Sequence, residues 1–312
     1  MKNLKQLNRR QMLQLSVALG GNILFPVSLI PKAMLQADQI LKRTIPGTTQ
    51  QLPIIGMGTW QTFDIGQAPE ERSNIKDVLQ TFYDLGGRVL DSSPMYGRSE
   101  QVLGDLSAEL GLLGKLFMAT KVWTTGKTEG IRQMNSSMQK MRSRPMDLMQ
   151  VHNLVDVKTH LQTLKQWKAE GLIRYIGLTH YVVSAHDDLE HLIRTEDIDF
   201  IQINFSIQTR NAEKTLLPLA KDKGVAVLIN RPFESGSLFR MVKGKSLPDW
   251  AKAWDINSWG QFFLKYIVSH EAVTCAIPAT SKVHHLKDNM GAAFGRLPDK
   301  ATRKKMVDFL FG

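Results

Sequence analysis

From Leu52 onward, short apolar runs alternate with longer stretches whose apolar residues recur at helical spacing. The runs read LPIIGMG, RVLD, KLFMATK, MDLMQVH, IRYIGLT, DFIQINF, VAVLIN and VTCAIP, and each suits a buried strand. Between them lie helix-like segments such as PEERSNIKDVLQTFYDLG, SEQVLGDLSAELG, IRQMNSSMQKMRS, VKTHLQTLKQWKAEG and AEKTLLPLAKDKG. In VKTHLQTLKQWKAEG, Val157, Leu161, Leu164 and Trp167 share one face while Lys165, Lys168 and Glu170 fall on the other. Gly86, Gly111, Gly171 and Gly224 stand where helices should stop.

Eight strands, each followed by a helical segment, predict an α/β fold: a closed (β/α)8 TIM barrel, a single domain over residues 38–312. An open doubly wound sheet competes with it. That fold normally carries a glycine-rich phosphate loop after its first strand; here the first strand leads into GMGTWQTFDIG, whose glycine spacing differs and which does not open into a helix. The stretch from Arg231 to Ile256 is too long for an ordinary barrel loop and is expected to cover the barrel mouth. The basic segment Asp299 to Leu310 is expected to pack as a helix across the outside.

Residues 1–37 follow another pattern. Lys2, Lys5, Arg9, Arg10 and Lys32 are their cations and no acid precedes Asp38, while a mostly apolar stretch runs from Met12 to Ile30. The Arg9-Arg10 pair before that stretch resembles a twin-arginine export signal, and an amphipathic helix with a chance arginine pair is the alternative. The signal reading predicts use of the twin-arginine export machinery and a periplasmic or exported protein; without it the protein is expected in the cytoplasm. Gly20, Gly21, Asn22 and Pro26 interrupt the stretch, so no stable membrane anchor is expected.

The formal charge of +11 first suggests nucleic acid, but five cations sit in that leading segment. No Lys/Arg run alternates with aromatics, which argues against a nucleic-acid surface. Cys275 is the only cysteine, so no intramolecular disulfide forms. Its apolar setting, AVTCAI, reads as a small buried hydrophobe.

The chemistry gathers at strand ends. Asp91 ends the second strand, Lys121 the third and His152 the fourth, while Tyr96 lies five residues past Asp91 on the adjoining loop. Barrel active sites assemble at the carboxyl ends of strands, so these residues should converge. An unassisted phenol, with a pKa near ~10, is a poor acid at neutral pH. A neighbouring ammonium favours the phenolate, a carboxylate holds the ammonium, and an imidazole can donate to a substrate oxygen. Singly, each has a plainer reading: Asp91 as a turn cap, Tyr96 as a packed aromatic, Lys121 as a sheet-end surface residue, His152 as a satisfied core histidine. Together they supply what reduction of a carbonyl requires.

The run Asp-Ser-Ser-Pro-Met-Tyr-Gly from Asp91 to Gly97, with MATKVW and DLMQVHN, resembles segments of the aldo/keto reductase superfamily. That resemblance runs from about Leu52 to Asn289 and implies a nicotinamide-dependent carbonyl reductase acting on a small-molecule aldehyde or ketone. It makes Tyr96 the general acid/base, Lys121 the residue that lowers its pKa, Asp91 the partner of Lys121, and His152 the group that polarises the carbonyl. It also implies cofactor contacts. Gln202 matches the glutamine that binds the nicotinamide amide, Thr179-His180 stands where Ser-Asn is usual, and Arg231 stands where many members carry a stacking tyrosine. In IPATSKVHHLKDNM, Thr280, Ser281 and Lys282 match a phosphate-binding helix start, His285 lies where an arginine is common, and Asp288 and Asn289 match positions at the adenine end. Ala279 replaces a usual lysine. NADPH is the expected cofactor, with NADH the alternative.

Thr179-His180, Arg231 and Ala279 also leave open a nicotinamide-binding regulatory or non-catalytic barrel. Metal-dependent hydrolysis is disfavoured, because Asp91, His152, His160, His180 and Asp199 include no His-x-His pair, and no metal ligands are assigned. Trp60, Met95, Trp123 and the Phe233–Trp254 stretch are candidates for an apolar pocket wall.

Overall fold

A computed structural model describes residues 39–312; the export-signal reading of residues 1–37 lies outside them. The described chain begins with a hairpin, β1 (Lys42–Thr44) antiparallel to β2 (Gln51–Pro53). Eight parallel strands follow: β3 (Met57–Gly58), β4 (Val89–Asp91), β5 (Phe117–Val122), β6 (Met146–His152), β7 (Ile173–Thr179), β8 (Phe200–Asn204), β9 (Ala226–Asn230) and β10 (Cys275–Ala276). They pair in chain order, and bridges from Ile55 to Ala276 and from Gly58 to Ala279 close the ring. The helices are α1 (Pro69–Asp84), α2 (Ser99–Glu109), α3 (Lys127–Met141), α4 (Val157–Ala169), α5 (His186–Thr195), α6 (Leu216–Lys223), α7 (Ser237–Met241), α8 (Trp259–Val268), α9 (Val283–Gly291) and α10 (Lys300–Phe311). This is the expected (β/α)8 barrel.

Strand alternation sorts the residues into two cores. Met118 and Val122 of β5, Met149 and Val151 of β6, and Ile201 and Ile203 of β8 pack outward against the helices. Val89, Phe117, Ala119, Leu148, Phe200, Ala226, Leu228 and Cys275 fill the interior. Each fully buried Leu, Ile, Val or Phe contributes about 1.5–3 kcal/mol. The inward series changes character along each strand. On β5 it runs Phe117, Ala119, Lys121; on β6 Leu148, Gln150, His152; on β8 Phe200, Gln202, Asn204. Apolar residues thus fill the amino end of the barrel, and polar ones collect at the carboxyl end.

Gly86, Gly111, Gly171 and Gly224 follow their helices at positive φ, as expected. The C-terminal helix forms, with the Asp299 carboxylate accepting the Thr302 N–H at 2.7 Å. The mouth segment is less irregular than its sequence suggested: it holds α7 and 3-10 turns at Glu234–Gly236 and Asp249–Trp254. The run LPIIGMG divides, its first residues joining the hairpin and only Met57–Gly58 entering the barrel as a strand. Ile45 and Leu52 pack with the interior cluster, so the hairpin plugs the amino end. Arg43 anchors it by donating to the carbonyls of Val268, His270 and Glu271. No helix among the described residues is long and apolar enough to cross a membrane.

Candidate active site

Register brings the predicted quartet together. Asp91 sits opposite Ala119 on β5, Lys121 opposite Gln150 on β6, and His152 opposite Thr179 on β7. The Lys121 ammonium, fully buried, lies 2.6 Å from Asp91 Oδ2 and also donates to the Ser92 carbonyl at 2.6 Å. The other Asp91 oxygen accepts from Gln150 Nε2 and Gln202 Nε2, each at 2.9 Å. A buried ion pair is sustained only when its remaining lone pairs and protons are matched, and these two amides do that for Asp91.

Tyr96 is carried by the turn after β4. Its N–H bonds the Ser93 carbonyl at 3.0 Å and its own carbonyl accepts from Ser99 N–H at 3.1 Å. Gly97 follows at φ +59, and a Cβ there would fall 2.4 Å from the Asp64 carboxylate, so any other residue would be strained and would displace Asp64. Asp64 in turn accepts the Arg98 N–H at 3.0 Å, pinning the loop after β3 to the Tyr96 turn. The Tyr96 ring centroid is 5.1 Å from Lys121 Nζ and 6.0 Å from the His152 ring, edge-on.

The electrostatics are opposed rather than one-sided. Burial pushes the Tyr96 phenol up and Asp91 adds to this; the Lys121 ammonium pulls it down, and the net direction is upward. Burial alone would lower Lys121, but Asp91 and Tyr96 outweigh it and raise the ammonium. Burial, then Lys121 and His180, depress His152 to about 3, so its imidazole is neutral. Its Nδ1 lies 3.0 Å from Ser93 Oγ.

Asp91, Tyr96 and His152 floor a cavity of about 760 Å³, with Lys121 buried behind them. Asp91, Tyr96, His152, Thr179, Gln202 and Arg231 all line it, with Trp60, Met95, Phe233 and Phe239 among its walls. Thr179 Oγ1 donates to Gln202 Oε1 at 3.2 Å. Of the candidate wall residues, Trp123 stands 6.4 Å from the His152 ring. His180 turns back on its own loop: its Nδ1 accepts the Tyr181 N–H at 2.9 Å and its ring stacks on Tyr181. Arg231, at φ +49, lies 5.8 Å from the same Tyr181 ring. At the far end the lining reaches Pro278 and Ala279, immediately before Thr280, Ser281 and Lys282 at the start of α9. The Thr280 hydroxyl accepts the Lys282 N–H, and the Ser281 carbonyl accepts from Asn74. His285 packs on His284 within α9. Asp288 accepts from Ser258 at 2.7 Å and from Gln261 at 3.0 Å, tying α9 to α8, and Asn289 is buried beside it.

Gln150, Ser93 and Tyr181 belong to this site and were not anticipated. Gln150 was findable, since alternation in MDLMQVH places it on the same face as His152. Tyr181 carried no periodic signal.

A model of the aldo/keto reductase family matches residues 54–304, and the chain belongs to that family. Methylglyoxal reductase YeaE of Escherichia coli is 25% identical over 246 residues, covering 76% of this chain and 84% of that protein. An NADH-specific methylglyoxal reductase of Escherichia coli is 26% identical over 249 residues, covering 68% and 74%. An aldo/keto reductase from Klebsiella pneumoniae, solved with NADP and acetate, superposes with a TM-score of 0.74 at 22% identity, over 87% of this chain and 96% of that one.

Proposed function

We propose that the protein reduces an aldehyde or ketone to an alcohol, with NADPH as hydride donor and NADH as the alternative. The observation that carries this reading is the buried Lys121–Asp91 pair at 2.6 Å, beneath a phenol and a neutral imidazole on one cavity floor. The residues present fit a dinucleotide. Thr179 and Gln202 offer a hydroxyl and a carboxamide at the floor, and the start of α9 offers amides, hydroxyls and Lys282 for phosphate at the other end. Arg231 Nε, buried without a partner among the described residues, is a donor left for a ligand oxygen.

When bound, the reduced nicotinamide supplies hydride to the carbonyl carbon. The protein's part is the proton. Tyr96 gives its phenolic proton to the carbonyl oxygen as the alkoxide develops, and Lys121 stabilises the phenolate left behind. Asp91 holds the ammonium in place, so no reorganisation is needed at that moment. His152, being neutral, adds a hydrogen bond to the same oxygen without bringing a competing charge. Arg231 at the flank favours the reduced cofactor over the oxidised form, whose nicotinamide ring is cationic. The relatives named for methylglyoxal reduction make a small aldehyde the first substrate to try.

The test is oxidation of NADPH and of NADH against a panel of aldehydes and ketones that includes methylglyoxal. Turnover with NADPH preferred is the expected result. Tight NADPH binding with no turnover on any carbonyl would favour the non-catalytic reading. The Arg9-Arg10 segment is read as an export signal, which fractionation of cells making the wild-type chain and an Arg9→Lys, Arg10→Lys variant tests. Retention of both in the cytoplasm would overturn it.

A further inference from the structure

Ser93 is fully buried, and its hydroxyl oxygen has two partners among the described residues: His152 Nδ1 at 3.0 Å and the Met95 N–H at 3.4 Å. A neutral imidazole carries one N–H, and the bond made by one nitrogen decides which holds it. Burial keeps this ring neutral, so the choice is real. Were the proton on Nδ1, two N–H groups would address the serine oxygen and the serine's own proton would be buried with no acceptor among the described residues. With the proton on Nε2 every group is matched: Met95 N–H to the oxygen, the serine proton to Nδ1, and Nε2–H left for the cavity that His152 lines.

We propose that Ser93 is a positioning residue that locks His152 as the Nε2–H tautomer, so the imidazole presents a donor rather than a lone pair to the carbonyl oxygen beside Tyr96. The inference deepens the reductase reading and rests on it for its consequence, though the tautomer itself does not. The same turn supplies both groups. Ser93 orients the imidazole through its side chain and starts the Tyr96 turn through its carbonyl. Ser93→Ala removes the imidazole contact and also the bond from the Met95 N–H, while the Ser93 carbonyl still accepts the Tyr96 N–H.

The experiment is long-range 15N–1H correlation of histidine rings in the full chain, with the His152 signals identified by their loss in His152→Gln. The wild type should show the Nε2–H pattern alone, without change between about pH 6 and 8. Ser93→Ala should mix in the Nδ1–H pattern and lower kcat roughly tenfold, a part of what a positioned acid contributes, with NADPH affinity unchanged. Ser93→Thr, which restores a hydroxyl, should recover the pattern and the rate. An Nδ1–H pattern in the wild type overturns the proposal, and that spectrum decides even if a variant fails to fold. So does a Ser93→Ala protein with unaltered tautomer and kcat. An Nε2–H pattern that depends on Ser93, in a protein that turns over no carbonyl, supports the lock and sinks the reductase reading instead.

Discussion

At the cavity floor, Asp91 accepts from Lys121, Gln150 and Gln202, and all four side chains are buried. Along the flank, His180 folds onto its own loop, Arg231 leans toward Tyr181, and Lys282 stands exposed. The floor residues sit on paired strands, so register sets their separations and each is over-determined by its neighbours. The flank residues sit where strands have ended, and a changed side chain there can be absorbed by a turn. The three positions at which the chain differs from what the family resemblance implies, His180, Arg231 and Ala279, all lie on this flank.

If that contrast is right, damage to the floor should cost both fold and activity. Lys121→Met leaves the Asp91 carboxylate buried without its cation, a loss of about 3–5 kcal/mol of stability. Turnover should vanish with it. Denaturant unfolding and single-turnover assays check the two effects, and an equally stable variant would break the comparison. Gln150→Leu should be milder, since it removes one hydrogen bond to a charged oxygen, worth about 1.5–3 kcal/mol. The same unfolding measurement reads it, and Asp91 retains Lys121 and Gln202.

Acidity sharpens the comparison further. Because burial outweighs the ammonium, the Tyr96 phenol titrates above its ordinary 10.0. Its protonated form, the one the proposed reduction requires, therefore persists through the neutral range and is lost only as pH rises beyond that value. His152 stays neutral above about 3 and adds no acid limb near neutrality. A pH profile of the reductive kcat/KM should thus be level from neutrality to about pH 10; a fall centred near neutrality would contradict the balance described. At the flank the effect should be smallest. Arg231→Gln should leave the fold intact and raise affinity for NADP+ relative to NADPH by on the order of tenfold, about 1.4 kcal/mol. Fluorescence titration with both cofactor forms measures that ratio.

Much of this was legible because the barrel writes itself in two periods. The alternation in KLFMATK and MDLMQVH placed Lys121 and His152 at strand ends, and helical spacing located α1 to α4. The hairpin escaped because Lys42–Thr44 and Gln51–Pro53 are three residues each, too short for a period to appear. Ser93 escaped because its role depends on a residue 59 positions away. Tyr181 and Arg231 meet across loops, where nothing in local sequence encodes the contact. The direction of the Tyr96 shift was also beyond pattern: Lys121 was expected to lower it, and it does, but only the folded chain shows how deeply the phenol is buried.

Tyr96 as the proton source is the claim on which the chemistry turns. Single-turnover hydride transfer by Tyr96→Phe, with NADPH binding followed in parallel, addresses it directly. Retained cofactor affinity with the transfer rate reduced by roughly 10²–10⁴, the scale of a positioned general acid, is the predicted result. A variant that transfers hydride at the wild-type rate would show that the proton comes from elsewhere.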